Sequence, residues 1–356
     1  MEANNIAFVA DEIDMFYTTK MGNEDDKSKI NRLRDGAMSM TVGNENDGKI
    51  TDLISVADEN LYIVKENSIY RVMLADDIDP ERTNINIPNS HQRIVSAGST
   101  SPVVARSFLS ADTLFNSTLF DQNFDQKLLM QISIDFMKEL LAADRYLDNY
   151  VSAELAACAG MNEPKNREFT IPTIDDLEGQ VKSYLQKIEH AVQKIYQLTK
   201  VFYDHNKKLF TGFAEKIEEK YGTDDNFAKF AKEMAKFMQF VRNARHCIEH
   251  PSKTQMLITK DFTLDASGQL SPPSIEIIHA ETPQSQMAIA DFMKQTLEYM
   301  ILINETLMLH LSDKHMLKTD GFEFAVGFIP EEQRRGDTLV RVGYLINING
   351  HWQVLG

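Results

Sequence analysis

The sequence predicts an α+β fold with a mainly helical core. Three observations carry this. Apolar residues recur near a helical period through the middle of the chain, β-prone runs flank short turns near both ends, and the period switches to strand-like inside the helical region. The expected layout is a mixed, β-containing region over 1–118, a helical core over 119–320 with a β insertion at about 254–283, and a C-terminal β-hairpin region over 321–356.

In the first region, Asn5 to Lys20 reads as a short helix and the polar, Gly/Asn/Asp-rich stretch Gly22 to Lys49 as a loop. Leu61–Val64 and Ile69–Leu74 flank a polar four-residue turn and predict a hairpin. Residues 79–89 read as an ordered connector without regular structure. From Phe124 to Ala159, Leu128, Leu129, Ile132, Phe136, Leu140 and Leu141 keep a helical period, and Pro164 and Pro172 then break the chain. Thr173 is the expected N-cap of a helix reaching about His205, with a further helical piece to Tyr221. Thr223 or Asp224 is expected to cap the next helix, which Pro251 stops after His250.

Residues 255–259 and 274–278 read as strands, with a turn at Asp265–Gly268 between them, and a helix is expected from about Gln284 to His315. Strands resume from Phe322, and Asn349-Gly350 predicts a type I′ hairpin. The methionines Met234, Met238, Met293, Met300 and Met308 read as core filling.

Two cysteines in 356 residues, Cys158 and Cys247, exclude a disulfide framework and fit a reducing compartment. The N-terminus has no basic, then apolar, leader pattern, and the apolar run Tyr299–Leu311 is interrupted by Asn304, Glu305 and His310. A soluble, cytoplasmic protein without a membrane partner is therefore expected. The net charge of −16 counts against extended duplex binding. From Lys182 to Lys253, however, 14 basic residues face 9 acidic ones. That island is either a set of solvated helix faces or a local RNA-facing surface.

The segment richest in chemistry is Arg242-Asn243-Ala244-Arg245-His246-Cys247-Ile248-Glu249-His250. On a helical wheel, Phe227, Phe230, Ala231, Met234, Phe237, Met238, Val241, Ala244 and Ile248 form one broad apolar face. Arg245 falls within that face and Glu249 at its edge. A desolvated guanidinium cannot shed its charge, so it needs a partner. One reading is a structural Arg245–Glu249 pair at i, i+4; the other is that the face opens onto a cleft or a subunit interface. His250, at the helix C-terminus, is either a capping residue or an imidazole whose protonated form the helix dipole favours.

The string resembles the signature of the HEPN family, small helical-bundle domains found in toxins, CRISPR-associated ribonucleases and phage-defence proteins. That signature is Arg, four to six residues, then His, often with a polar residue straight after the Arg. Arg245 and His250 fit with four intervening residues, and His246 takes the polar slot. Arg242 has seven residues before His250 and three before His246, so it falls outside the spacing. The resemblance covers about residues 121–320; the flanking β segments and the insertion lie outside the family pattern.

The resemblance implies a homodimer with Arg and His of both subunits at one interface. It implies metal-independent cleavage of single-stranded RNA, with Arg245 and His250 catalytic and Arg242, Asn243, His246 and Glu249 supporting, and with no cofactor. A guanidinium stabilises phosphate charge through paired hydrogen bonds, and an imidazole moves protons near neutral pH. Many members are catalytically silent, so the alternative is a non-catalytic dimerisation, nucleotide-sensing or protein-binding module, with a protein partner in a defence system. His246–His250 also spells H-x-x-E-H, an inverted zincin pattern in which both histidines hold zinc and Glu249 is the general base. Arg245 beside it opposes a cation, and Glu298 or Glu305 would have to supply the third ligand. No phosphate-binding loop, dinucleotide fingerprint or serine nucleophile elbow occurs.

Overall fold

The computed structural model describes residues 24–36, 41–56, 60–159, 168–205, 210–317 and 321–355. The helix expected over Asn5–Lys20 and the break at Pro164 lie outside them. The molecule is α+β, and it divides into two compact units: Met1–Ala105 with Ile329–Arg341, and Arg106–Phe328 with Val342–Gly356.

The first unit holds helix α1 (Glu24–Arg34) and a four-stranded antiparallel sheet in the order β1 (Ile50–Val56), β2 (Asn60–Lys65), β3 (Ile69–Met73) and β4 (Ser90–Val95). It also holds two short helices, α2 (Ala75–Ile78) and α3 (Pro102–Val104). The predicted hairpin is β2–β3, with Leu61 opposite Val72 and Ile63 opposite Tyr70. Ile63, Tyr70 and Val72 share a core with Val42. The loop expected over Gly22–Lys49 is corrected by α1. Its charged residues are helix formers, and Ile30, fully buried, gives the helix its apolar anchor.

The connector at 79–89 is irregular but ordered. Asp79 accepts the backbone N–H groups of Thr83 and Asn84, and Arg34 spans Asp76 and Asp79. Segment 329–341 is stitched in by Arg335, which donates to the Thr51 carbonyl and the carboxylates of Asp52 and Asp337.

The second unit begins within a π-helical turn, Ala105–Leu109, and continues through α4 (Ser110–Phe115), α5 (Gln126–Ala159), α6 (Leu177–Phe202), α7 (Phe210–Tyr221), α8 (Asn226–Glu249) and α9 (Ile289–Lys314). α5 packs on α6 and α9, α6 also on α8 and α9, and α7 on α8. Between α8 and α9 run β5 (Met256–Lys260), the small hairpin β6 (Thr263–Leu264) and β7 (Leu270–Ser271), then β8 (Ser274–Ile278) and β9 (Gln284–Ala288). The sheet order is β5-β8-β9.

After α9 come β10 (Glu323–Phe328), β11 (Val342–Ile348) and β12 (His351–Val354) in one antiparallel sheet. Asn349 and Gly350 both take positive φ, 53° and 85°, as the type I′ turn requires. Tyr344 of β11 donates its hydroxyl to the Leu114 carbonyl and joins this sheet to α4.

Three helix starts differ from the sequence expectation. α6 is preceded by Asp176 in a left-handed conformation, not capped by Thr173. α8 is capped by Asp225, whose carboxylate accepts the Phe227 N–H at 2.8 Å, rather than by Thr223 or Asp224. Residues 284–288, expected in the last helix, form β9, because pairing with β8 satisfies their backbone before the helix begins. The five core methionines are buried, as expected. Among the described residues no helix is long and apolar enough to cross a membrane.

Candidate functional site at the end of α8

α8 buries Phe227, Ala231, Met234, Met238, Val241, Ala244 and Ile248, with Ala228 and Cys247 added. Phe230 and Phe237 are half-buried, so the apolar face is turned slightly from the wheel's centre. Arg245 sits at the margin of this face, its side chain 29% exposed. Its Nη1 donates to Glu189 Oε2 of α6 at 2.8 Å, and its Nη2 to Glu249 Oε1 at 3.2 Å. Nε is buried and has no hydrogen-bond partner. Both terminal nitrogens of the fork are therefore held by carboxylates, and the cluster of one cation and two anions carries a net negative charge.

Glu189 is the partner that sequence reasoning missed. It is 9% exposed at the side chain, and both its oxygens also accept from Gln193 Nε2. A signal existed: Glu189 lies among Leu185, Ile188 and Val192 on the buried stripe of α6. A carboxylate in one apolar stripe and a guanidinium in another satisfy each other's need for a counter-charge.

The remaining motif residues attach α8 to the β insertion. Asn243 donates to Thr282 Oγ1 at 3.0 Å and accepts from Gln239 at 2.8 Å. Thr282 Oγ1 lies 3.1 Å from His279 Nδ1. Gln255 donates one amide group to His246 Nδ1 at 2.9 Å and to the His250 carbonyl at 3.1 Å. His250 is the C-cap, its N–H bonded to the His246 carbonyl. Buried Cys247 points at the Ile278 carbonyl, 3.7 Å away, and burial pushes its thiol pKa up, so it is an unreactive thiol.

The structure thus brings Arg245 and Glu249 together, and separately pairs His246 and His250, whose exposed rings lie 5.0 Å apart. Arg242 is exposed on the solvent side of α8.

The zincin pattern finds no completed ligand set. Glu249 is engaged by Arg245, and Glu305 is fully buried with Arg106 Nη2 at 2.8 Å. Among the described residues no group of three His, Cys, Asp or Glu is placed to hold a metal. Six lysines of the basic island are ion-paired in place. Lys187 pairs with Glu139, Lys194 with Asp135, Lys200 with Asp204, Lys216 with Glu219, Lys232 with Glu218 and Lys236 with Glu233. A neighbouring groove was not foreseen. Phe237 and Phe240 of α8 face Phe292, Thr296 and Tyr299 of α9 across it, and Tyr299 is 53% exposed. Comparison with known proteins finds no matching family, no matching curated protein and no matching solved structure.

Proposed function

We propose that the helical unit is a non-catalytic, HEPN-like module that self-associates, and that its Arg-x4-His string is a structural clamp joining α6, α8 and the β insertion. One observation carries the reading: Arg245 spends both terminal nitrogens on Glu189 and Glu249. A phosphate approaching Arg245 would meet a guanidinium already shared by two carboxylates, in a cluster whose net charge repels it. Six lysines of the basic island are already paired with carboxylates, which reduces the positive charge that RNA could follow.

A second reading, metal-independent RNA cleavage, is favoured by the exposed imidazoles of His246 and His250, which share one helix end with Arg245. The two readings part in a single assay. Single-stranded RNA is incubated with chelator and with native protein, Arg245→Ala or His250→Ala, each checked for folding, and self-association is followed by sedimentation. The clamp account expects no cyclic-phosphate product from any of the three and a sedimenting species larger than one chain. Cleavage by native protein that disappears in both variants would establish the ribonuclease instead. A strict monomer would remove self-association from the proposal.

A further inference from the structure

The other end of α8 gathers ionisable and aromatic groups from five elements of the second unit. His315 closes α9: its N–H bonds to the Leu311 carbonyl, and its own carbonyl accepts the Asp121 N–H at 3.0 Å. Its ring packs 4.7 Å from that of Phe124 and 5.3 Å from that of Phe202. Its Nε2 lies 3.1 Å from Tyr203 Oη, at the end of α6, and that oxygen lies 2.9 Å from Tyr221 Oη, the last residue of α7. A chain of three side chains thus ties the ends of α9, α6 and α7 together.

Two ammonium groups border the chain. Lys220 Nζ lies over the rings of Tyr203 and Tyr221, at 5.0 Å and 5.2 Å, and Lys314 Nζ over Tyr221 at 4.7 Å. Asp225, the cap of α8, is bonded to Lys314 at 2.7 Å. His310 stacks on Phe227, with ring centroids 5.0 Å apart.

We propose that His315, Tyr203 and Tyr221 form an acid-sensitive latch, and that protonating His315 loosens the corner where α6, α7 and α9 meet. A neutral His315 can accept from Tyr203 at Nε2. An imidazolium can only donate, so a hydroxyl chain that runs toward Nε2 of the neutral ring must reverse, around a new half-buried charge. The groups facing that charge do little to offset it. The segment before α5 supplies Asp121, and the end of α6 supplies the phenol of Tyr203. α7 brings Lys220 and the phenol of Tyr221. α8 brings Asp225, already committed to Lys314, and α9 brings Lys314 itself, with Asp313 near His310.

Burial first, then Lys220, hold the His315 ring down to about 4, against the pull of Asp121. Burial likewise lowers His310. Because the folded value lies below the ordinary value of 6.5, the unfolded chain binds more protons in between. The stabilisation is complete above pH 6.5 and is lost as pH falls toward 4.

The test follows the histidine and tyrosine ring resonances of the native protein by NMR from pH 8 to pH 4. Thermal unfolding of the native protein and of His315→Gln, which keeps an amide beside Tyr203 but does not titrate, is measured across the same range. His315 is expected to titrate near 4, and the rings of Tyr203, Tyr221 and Phe213 of α7, which lies 5.9 Å from the Tyr203 ring, to shift with the same midpoint. The native folding constant should fall by up to about 10²-fold between pH 6.5 and 4, and His315→Gln should flatten that slope. An ordinary His315 midpoint, or a native slope retained in His315→Gln, overturns the latch. If His315→Gln does not fold, the ring titration of native protein still decides: α7 rings that do not move with His315 end the proposal.

Discussion

At the scale of single residues, this chain's organisation depends on charges placed inside apolar surfaces and answered there. Glu305 is fully buried on α9, and Arg106 reaches it with Nε at 3.1 Å and Nη2 at 2.8 Å. Removing the guanidinium leaves a fully buried carboxylate without this counter-charge. Replacing the whole pair by apolar side chains removes that penalty as well as the attraction. Arg106→Met should therefore destabilise the second unit by about 3–5 kcal/mol. A combined Arg106→Met, Glu305→Met variant should recover much of the loss. Denaturant midpoints of the two variants check this, and equal losses in both would show that the pair does not act as a unit.

Elements show where the sequence was legible and where it was not. Strong periodicity exposed α5, α8, the β2–β3 hairpin and the β11–β12 turn, because each rests on local chemistry: a helical stripe, alternating β-prone runs, or Asn349-Gly350 with positive φ. β9 was missed because Gln284–Ala288 has a weak pattern of its own and is a strand only by pairing with β8. α1 was missed because one buried isoleucine among charges gives no visible stripe. At the candidate site, the Arg245–Glu249 pair was readable at i, i+4. The stronger contact, to Glu189, crosses 56 residues and becomes visible only once α6 and α8 are packed.

The turn over the first unit's sheet makes a further prediction at this scale. Gly43 has φ +72°, and a Cβ there would lie 2.5 Å from Asp47 Oδ2 and 2.7 Å from the Tyr70 hydroxyl. Asp47 is buried, accepts from Asn44 N–H and the Tyr70 hydroxyl, and pairs with Arg93, so it cannot step aside without losing these. Gly43→Ala should cost about 1–2 kcal/mol from backbone conformation alone, and more from the displaced carboxylate. Hydrogen exchange of β2 and β3 amides should rise in this variant; unchanged protection would mean that the turn does not hold the sheet.

For the whole molecule, the proposed function depends on the motif at the end of α8 being a clamp. If so, Arg245 and Glu189 are energetically coupled, and RNA chemistry plays no part in their placement. The most direct measurement is a double-mutant cycle on folding stability with Arg245→Met, Glu189→Gln and both together. Arg245→Met leaves Glu189 in an apolar stripe without its cation, whereas the double variant carries neither charge. The predicted result is a loss of about 2–3 kcal/mol for Arg245→Met, less than the fully buried limit because the arginine is partly exposed. A coupling energy of about 1–3 kcal/mol between the two positions should accompany it. Additive effects, with Arg245→Met as stable as the native chain, would contradict the clamp and leave Arg245 free for another role.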